Sequence, residues 1–91
     1  MSYHRYRHPS TAVSFEWDEN NEAKLATRMI SARDVEDVWA DGPDYRRNRR
    51  SGTAVWLMTG RDRSGRQLHI GILWADEREG VLRAITGWPS S

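Results

Sequence analysis

Three apolar runs separated by short polar turns constrain the fold of this chain more than any other feature of its sequence. The runs occupy residues 53–60, 66–74 and 81–88, and the turns between them contain charged residues and glycine. Connections of about five residues join antiparallel neighbours in a sheet. The pattern therefore predicts a three-stranded antiparallel meander.

The middle run alternates in polarity with a period of two. Its apolar positions at every second residue are Leu68, Ile70, Ile72 and Trp74. Side chains at that spacing share one face of a strand, so the predicted sheet has one strongly apolar face. Such a face must be covered, and the first half of the chain has to supply the cover.

Two helices are predicted between a short strand at residues 12–17 and the meander. Asp18 is a suitable N-cap for a first helix from about Glu19 to Arg28, with acidic residues in the first turn where the helix dipole favours them. Ser31 and Asp34 form a capping-box pattern that opens the second helix.

Apolar spacing predicts which side chains of these helices face the sheet. In the second helix the stripe consists of Ala32, Val35, Val38 and Trp39. In the first helix two sets remain open, either Ala23, Ala26 and Ile30 or Leu25 and Met29. We expect Trp39 and Trp74 to be among the most buried residues, since large aromatic side chains bury the most area.

Asp41-Gly42-Pro43 ends the second helix, and residues 44–52 form a basic loop before the meander. The predicted order is β-α-α-β-β-β, an α+β fold with two helices packed on a three- to four-stranded antiparallel sheet. We expect a flexible N-terminal lead-in over residues 1–11 and one domain over residues 12–91.

Composition narrows the function classes. The chain of 91 residues is 37% hydrophobic, and five tryptophans compensate for the small core. The absence of cysteine excludes disulfides and thiolate metal sites, and it fits the cytoplasmic location that we expect.

No run approaches membrane length and no signal-peptide core is present, so we expect no membrane contact. His4 and His8 lack a third ligand, so we predict a solvated tail with neither metal nor cofactor.

Arginine is concentrated in the middle of the chain. The candidate RNA-binding residues are Arg46, Arg47, Arg49 and Arg50 in the predicted loop, and Arg61 and Arg63 in the first hairpin turn. Guanidinium groups fork two hydrogen bonds to phosphate and stay charged, and neighbouring aromatic rings can stack on bases. The alternative is a solvated loop whose arginines pair with the acidic residues of the helices.

Catalysis by a protein nucleophile is not indicated, because the chain has neither cysteine nor a recognised nucleophile motif. Cleavage of RNA needs none, since the 2′-hydroxyl attacks while the protein supplies a base, a proton donor and cations. His69 is the strand residue suited to carrying a proton near neutral pH, and Glu16 and Asp62 are weaker base candidates. The alternative for His69 is a packed or surface histidine.

The segment Phe15-Glu16-Trp17-Asp18, followed at once by a helix and then by Ile30-Ser31 before a second one, resembles the start of the BrnT family of toxins. Residues 60–68 keep the spacing of the family's G-x-S-x-x-G-R-x-L hairpin motif, and residues 82–86 keep the start of its last strand. The resemblance covers about residues 14–90.

This resemblance implies a RelE-like fold and a metal-independent endoribonuclease of a type II toxin–antitoxin module, neutralised by a small antitoxin protein. Matched to the motifs, it implies that Arg66 and Arg83 are catalytic, and we place His69 with them as the proton carrier. The alternative is a non-catalytic protein-binding module on the same scaffold.

Three segments depart from the family pattern. Thr27-Arg28-Met29 stands where the family has Lys-His-Gly. Val55 stands where the family commonly has an arginine that opens the second strand. Gly87-Trp88-Pro89 stands where the family has Ala-Arg-Lys, which leads into a terminal helix. From the last difference we expect an open sheet face or edge near Trp88. We therefore expect a homodimer, or a complex with a small acidic or amphipathic antitoxin.

Overall fold

One mixed sheet with two helices on one of its faces forms the structure, a computed structural model that describes residues 7–48 and 55–90. In chain order the elements are a 3-10 turn (Pro9–Thr11), β1 (Ser14–Phe15), α1 (Glu19–Ala26), α2 (Ala32–Ala40), β2 (Asp44–Arg47), β3 (Trp56–Arg61), β4 (Gln67–Asp76) and β5 (Val81–Pro89). The predicted α+β class and the meander of β3, β4 and β5 are confirmed.

The predicted strand count is wrong, because the sheet has five strands in the order β1-β5-β4-β3-β2. The additional strand is β2, where the sequence predicts a basic loop. It pairs antiparallel with β3, Asp44 lying opposite Thr59. Three of its four side chains are exposed, as is usual for a charged edge strand, so no apolar alternation reveals it.

The predicted all-antiparallel sheet is also incorrect at its other edge. β1 runs parallel to β5, with Ser14 opposite Val81 and Phe15 opposite Leu82. Two helices and three strands separate β1 from β5 in the chain, so no turn length constrains their relative direction. The pairing is set instead by Phe15, which joins the core cluster beside Leu82.

Both predicted helix starts are confirmed by their capping contacts. The side chain of Asp18 accepts a hydrogen bond from the backbone N–H of Asn21 at 2.9 Å, and the Asn21 side chain accepts one from the Asp18 N–H at 2.8 Å. Ser31 and Asp34 make the same reciprocal pair at 3.0 and 2.9 Å. Each box satisfies backbone donors that the first helical turn leaves free.

A left-handed residue joins the two helices and decides which side chains of α1 reach the core. Met29 has a φ of 61°, and the N–H of Ile30 donates to the carbonyl of Leu25 at 3.1 Å. This reversal buries Leu25 and Ile30 together, one from each of the two predicted sets. Ala23, Ala26 and Met29 are exposed, so neither set is correct as a whole.

The core lies between the helices and the apolar sheet face. Its fully buried side chains include Leu25, Ile30, Val35, Val38, Met58, Leu68, Ile70, Ile72 and Leu82. Trp39 and Trp74 only pack partly against this cluster, so the prediction that they are among the most buried residues is wrong. The Trp74 ring N–H donates to the carbonyl of Arg7 at 3.0 Å, near the surface, whereas Trp56 is 8% exposed.

Residues 7–11 belong to the predicted lead-in and contact the far end of β4. The Arg7 guanidinium donates to the backbone carbonyl of Glu77 at 2.6 Å, and Pro9 is buried. Residues 1–6, including His4, lie outside the described residues.

The second face of the sheet carries no helix within residues 7–48 and 55–90, and we call it the open face. Register places Thr59, His69 and Trp88 side by side on it, on β3, β4 and β5. A bulge at Ile85 brings Trp88 there, because an extra residue in β5 shifts the alternation between the pairs Ile72–Ala84 and Gly71–Thr86.

Candidate functional site

His69 stands at the centre of the open face with a hydroxyl at each ring nitrogen. Its Nδ1 lies 3.1 Å from the Thr59 Oγ1, and its Nε2 lies 2.6 Å from the Ser90 Oγ. Hydroxyls donate or accept as required, so these partners suit either neutral tautomer. The imidazole also stacks on Trp88, with ring centroids 5.6 Å apart and planes 26° apart.

Arg61 is the cation placed closest to this histidine on the sheet. It follows Thr59 by two residues on β3, and Thr59 lies opposite His69. Diagonal neighbours of this kind on one face are about 7–8 Å apart. One Arg61 Nη donates to the Gly65 carbonyl at 2.8 Å, and no carboxylate in the described part of the chain pairs with it.

Arg46 adds a second cation to the same face. It lies on β2 opposite Leu57, which is two residues from Thr59, and its side chain is exposed. Among the described residues no carboxylate pairs with it. By register Arg46 and Arg61 therefore lie on the side of the sheet that carries His69, and the Arg61 side chain also lines a cavity with Asp37, Asp41 and Asp62.

Arg66 lies on the helix side of the sheet and is fully engaged. Its Nε donates to the Asp62 Oδ2 at 3.1 Å, one Nη to the Asp34 Oδ2 at 3.1 Å, and the other Nη to the Met29 carbonyl at 2.9 Å. These contacts tie the β3–β4 hairpin to the junction of α1 and α2.

Asp62, a weaker base candidate, organises this hairpin turn. Its side chain is 4% exposed and accepts hydrogen bonds from Ser64 and from the backbone N–H of Arg66. Burial raises the pKa of Asp62, but the hydrogen bonds from Ser64 and Arg66 outweigh it and bring the pKa below its ordinary value. The carboxylate is thus held ionised inside the turn.

Arg83 is likewise held by two carboxylates. One Nη donates to the Glu16 Oε2 at 2.8 Å and the other to the Asp18 Oδ2 at 2.7 Å. The hydrogen bonds that Arg83 donates to Asp18 and then to Glu16 raise the pKa of Arg83. The backbone N–H of Asn21, followed by Arg83, lowers the pKa of Asp18. Glu16, the other base candidate, is therefore already paired.

The structure does not bring Arg66, Arg83 and His69 to one point. Arg83 lies opposite Leu73, seven residues after Arg66 in the chain, which is about 23 Å at roughly 3.3 Å per residue. Arg66 contacts the helices, whereas His69 is on the open face. The neighbours of His69 are Thr59, Ser90, Trp88 and Arg61.

The remaining predicted RNA-binding residues are scattered. The Arg47 guanidinium lies 5.2 Å from the centroid of the Trp56 ring, on the helix side. Arg63 is 74% exposed and lies 3.8 Å from Asp37. Arg49 and Arg50 fall outside the described residues.

Sequence reasoning missed Thr59, Ser90 and Trp88 as neighbours of His69. The alternation of β3 and β4 could have identified Thr59, since it shares the polar side of the hairpin with His69. The Ser90 and Trp88 contacts depend on the bulge in β5, for which the sequence carries no signal.

Two clefts border the helices, and Arg61 lines the first of them. A cavity of about 340 Å³ between the end of α2 and the hairpin is lined by Asp37, Ala40, Asp41, Arg61, Asp62 and Arg63. A groove of about 490 Å³ between α1 and α2 is lined by Glu22, Ala23, Ala26, Met29, Ile30, Ser31, Ala32 and Asp34. Within the described ranges, no three histidine or acidic side chains are grouped as metal ligands.

No protein-family model, curated protein or solved structure matches this chain. None of the helices in residues 7–48 and 55–90 has the length and apolarity needed to cross a bilayer. The resemblance to BrnT toxins thus rests on the motifs quoted above and stays a prediction.

Proposed function

We propose that this chain is a toxin-like endoribonuclease that acts on single-stranded RNA at the open face and is neutralised by a small antitoxin protein. One observation carries the proposal. On one face of the sheet, a histidine held by two hydroxyls lies diagonally opposite Arg61, which makes no direct ion pair within the described residues.

In the proposed reaction the RNA 2′-hydroxyl attacks the adjacent phosphorus. The P–O2′ bond forms, the P–O5′ bond breaks, and the products are a 2′,3′-cyclic phosphate and a 5′-hydroxyl. His69 takes the proton of the 2′-hydroxyl, and the imidazolium formed in this way, or a water molecule, donates a proton to the leaving 5′ oxygen. Arg61 stabilises the charge that develops on the phosphate oxygens, and Arg46 holds the RNA backbone.

Arg66 and Arg83 have a different role in this proposal from the one the motifs imply. Each would have to leave two carboxylates to reach a phosphate. Breaking such pairs leaves charges without partners, which is unfavourable where they are partly buried. We therefore propose that both arginines hold the scaffold, and that Arg61 takes the place of the catalytic cation.

The test is cleavage of a labelled single-stranded RNA by the purified protein, together with growth after expression without any partner. His69→Ala should lower the cleavage rate by about 10²–10⁴-fold, the usual contribution of a positioned acid–base group. Arg61→Gln should lower it by about 10²–10³-fold, by analogy with the loss of one oxyanion donor. Arg78→Gln makes the same charge change in the turn between β4 and β5, and should leave the rate unchanged.

A protein-binding module is the second candidate, and the exposed Trp88 favours it. Trp88 is 37% exposed, and the partly exposed Leu57 and Leu73 lie on the same face of the sheet. If the wild-type protein neither slows growth nor cuts RNA, while sedimentation shows a dimer that Trp88→Ala disrupts, this second function is the correct one.

A further inference from the structure

We propose that Trp88 is a stacking platform for one base of single-stranded RNA, so that the indole continues the stack begun by His69. The inference rests on the proposed function, because it names the part of the RNA that the open face grips. No motif of the resembled family includes this residue, since Trp88 stands in a segment that departs from the family pattern.

The indole has one face covered and the other without a neighbouring strand. His69 stacks on one side at 5.6 Å. On the outer side of β5, β1 pairs only with Val81 and Leu82, at the opposite end of the strand. In the described part of the chain no strand lies beyond Trp88, so a planar group can stack there.

Hydrogen bonds and a ring contact hold the platform. Thr59 and Ser90 fix the imidazole through both ring nitrogens, and the imidazole supports the indole. Gly87, the residue before Trp88, packs closely against the core. A Cβ at that position would lie 3.0 Å from the Ile70 Cδ1 and 3.1 Å from the Leu25 Cδ2. A preorganised ring loses little freedom when a base stacks on it, which favours binding.

Charge favours a nucleic-acid base over an aromatic side chain of a protein partner. Arg61 and Arg46 share the face with Trp88, and the residues next to Trp88 on β5 are neutral. The acidic residue in the same row is Asp44, three strands away, at about 14 Å for a spacing of about 4.8 Å per strand. Arg46 lies on that same strand, so Arg61 is the nearer of the two arginines to Trp88. A polyanion can therefore place its phosphates near the arginines and a base on the indole.

The experiment measures binding of a fluorescent 2′-O-methyl oligonucleotide, which has bases and phosphates but no nucleophilic hydroxyl. Trp88→Leu should weaken binding by about five- to a hundredfold, the range for loss of one base–aromatic stack, and Trp88→Phe should weaken it less. The salt dependence should be unchanged in both variants. In Arg61→Gln the affinity should fall and the slope of log K against log salt should decrease by about 0.7, as expected for one phosphate contact on a single strand.

Val13→Ala, an exposed apolar residue at the β1 edge, is the matched control, and circular dichroism checks the fold of each variant. If Trp88→Leu binds like wild type while Arg61→Gln is weakened, RNA binding stands and the stacking platform is refuted. If the wild-type protein binds no oligonucleotide at low salt, the proposed function fails as well. If Trp88→Leu dissociates a dimer without changing oligonucleotide affinity, the indole is a protein contact and the platform is also refuted.

Discussion

The side chain of Arg66 donates a 2.9 Å hydrogen bond from an Nη to the carbonyl oxygen of Met29, the left-handed residue between α1 and α2. The same guanidinium contacts Asp34 in the first turn of α2 and Asp62 in the hairpin. One side chain therefore fixes the path of the chain at the point where the two helices meet the sheet.

Met29 is held in a conformation that favours glycine, so we predict that Met29→Gly stabilises the fold. The left-handed region is unfavourable by about 1–2 kcal/mol for a residue with a Cβ, and the greater freedom of glycine in the unfolded chain offsets part of that gain. We expect about 1 kcal/mol of added stability, a melting temperature higher by about 4–8 °C in thermal unfolding.

Met29→Ala is the control, because it removes the same exposed side chain, which is 80% accessible, and keeps the Cβ. It should change the melting temperature little. An equal rise in both variants would mean that loss of the exposed thioether stabilises the protein, and that backbone strain does not.

Arg66→Ala should destabilise the protein by about 1–3 kcal/mol, because it leaves the nearly buried Asp62 carboxylate without its charged partner. Arg66→Lys should restore only part of this, since one ammonium cannot bridge three separate oxygen atoms in the planar geometry of a guanidinium. Urea unfolding gives both values. Arg63→Ala, at an exposed residue 3.8 Å from Asp37, should change stability by less than about 0.5 kcal/mol.

The sequence predicts the local features of this fold well, because they depend on residues close together in the chain. The caps at Asp18 and Ser31 and the three meander strands follow from side-chain chemistry and periodicity within about ten residues. The parallel pairing of β1 and the charged edge strand β2 could not be predicted, since contacts between distant segments decide them.

The candidate site shows the same division. Period-two alternation in β4 puts Arg66 on the same side as Leu68, so its position away from His69 could have been deduced from the sequence. The place of Trp88 could not, because without the bulge at Ile85 it would have shared the helix side with Leu82 and Ala84. Ion pairing of Arg83 with the two acids of the first motif also needs the parallel pairing of β1.

Acid should unfold the protein through Asp18 and Asp62. The pKa of each lies below the ordinary value of 3.8 in the folded state, and in the unfolded chain both titrate near that value. The unfolded state therefore binds protons first as pH falls. The stabilisation is complete above about pH 4 and is lost as pH falls through the lower folded pKa values.

Urea midpoints measured between pH 6 and pH 2 test this expectation. The urea midpoint of the wild type should be constant above pH 4 and should decrease as the pH falls below 4. The midpoint of Asp62→Asn should be lower than that of the wild type at pH 6 and should decrease less steeply with falling pH. A fall of equal steepness in the variant and in wild type would assign the titration to other carboxylates.

Arg61 and Arg83 separate the two assignments of the catalytic cation. The motifs imply that Arg83 acts on the phosphate, whereas its contacts with Glu16 and Asp18 suggest that it joins β1 and the start of α1 to β5. We predict that Arg83→Gln lowers the melting temperature and reduces RNA cleavage only in proportion to the folded fraction. Arg61→Gln should leave the melting temperature within about 2 °C, because exposed residues contribute little to stability, and should reduce the cleavage rate of fully folded protein.

Both rates are measured at least 15 °C below each melting temperature, roughly where two-state domains are fully folded. The reverse pattern, with an inactive but stable Arg83→Gln and an active Arg61→Gln, would return the catalytic role to Arg83, because only a residue that contacts the transition state lowers the rate without changing the fold.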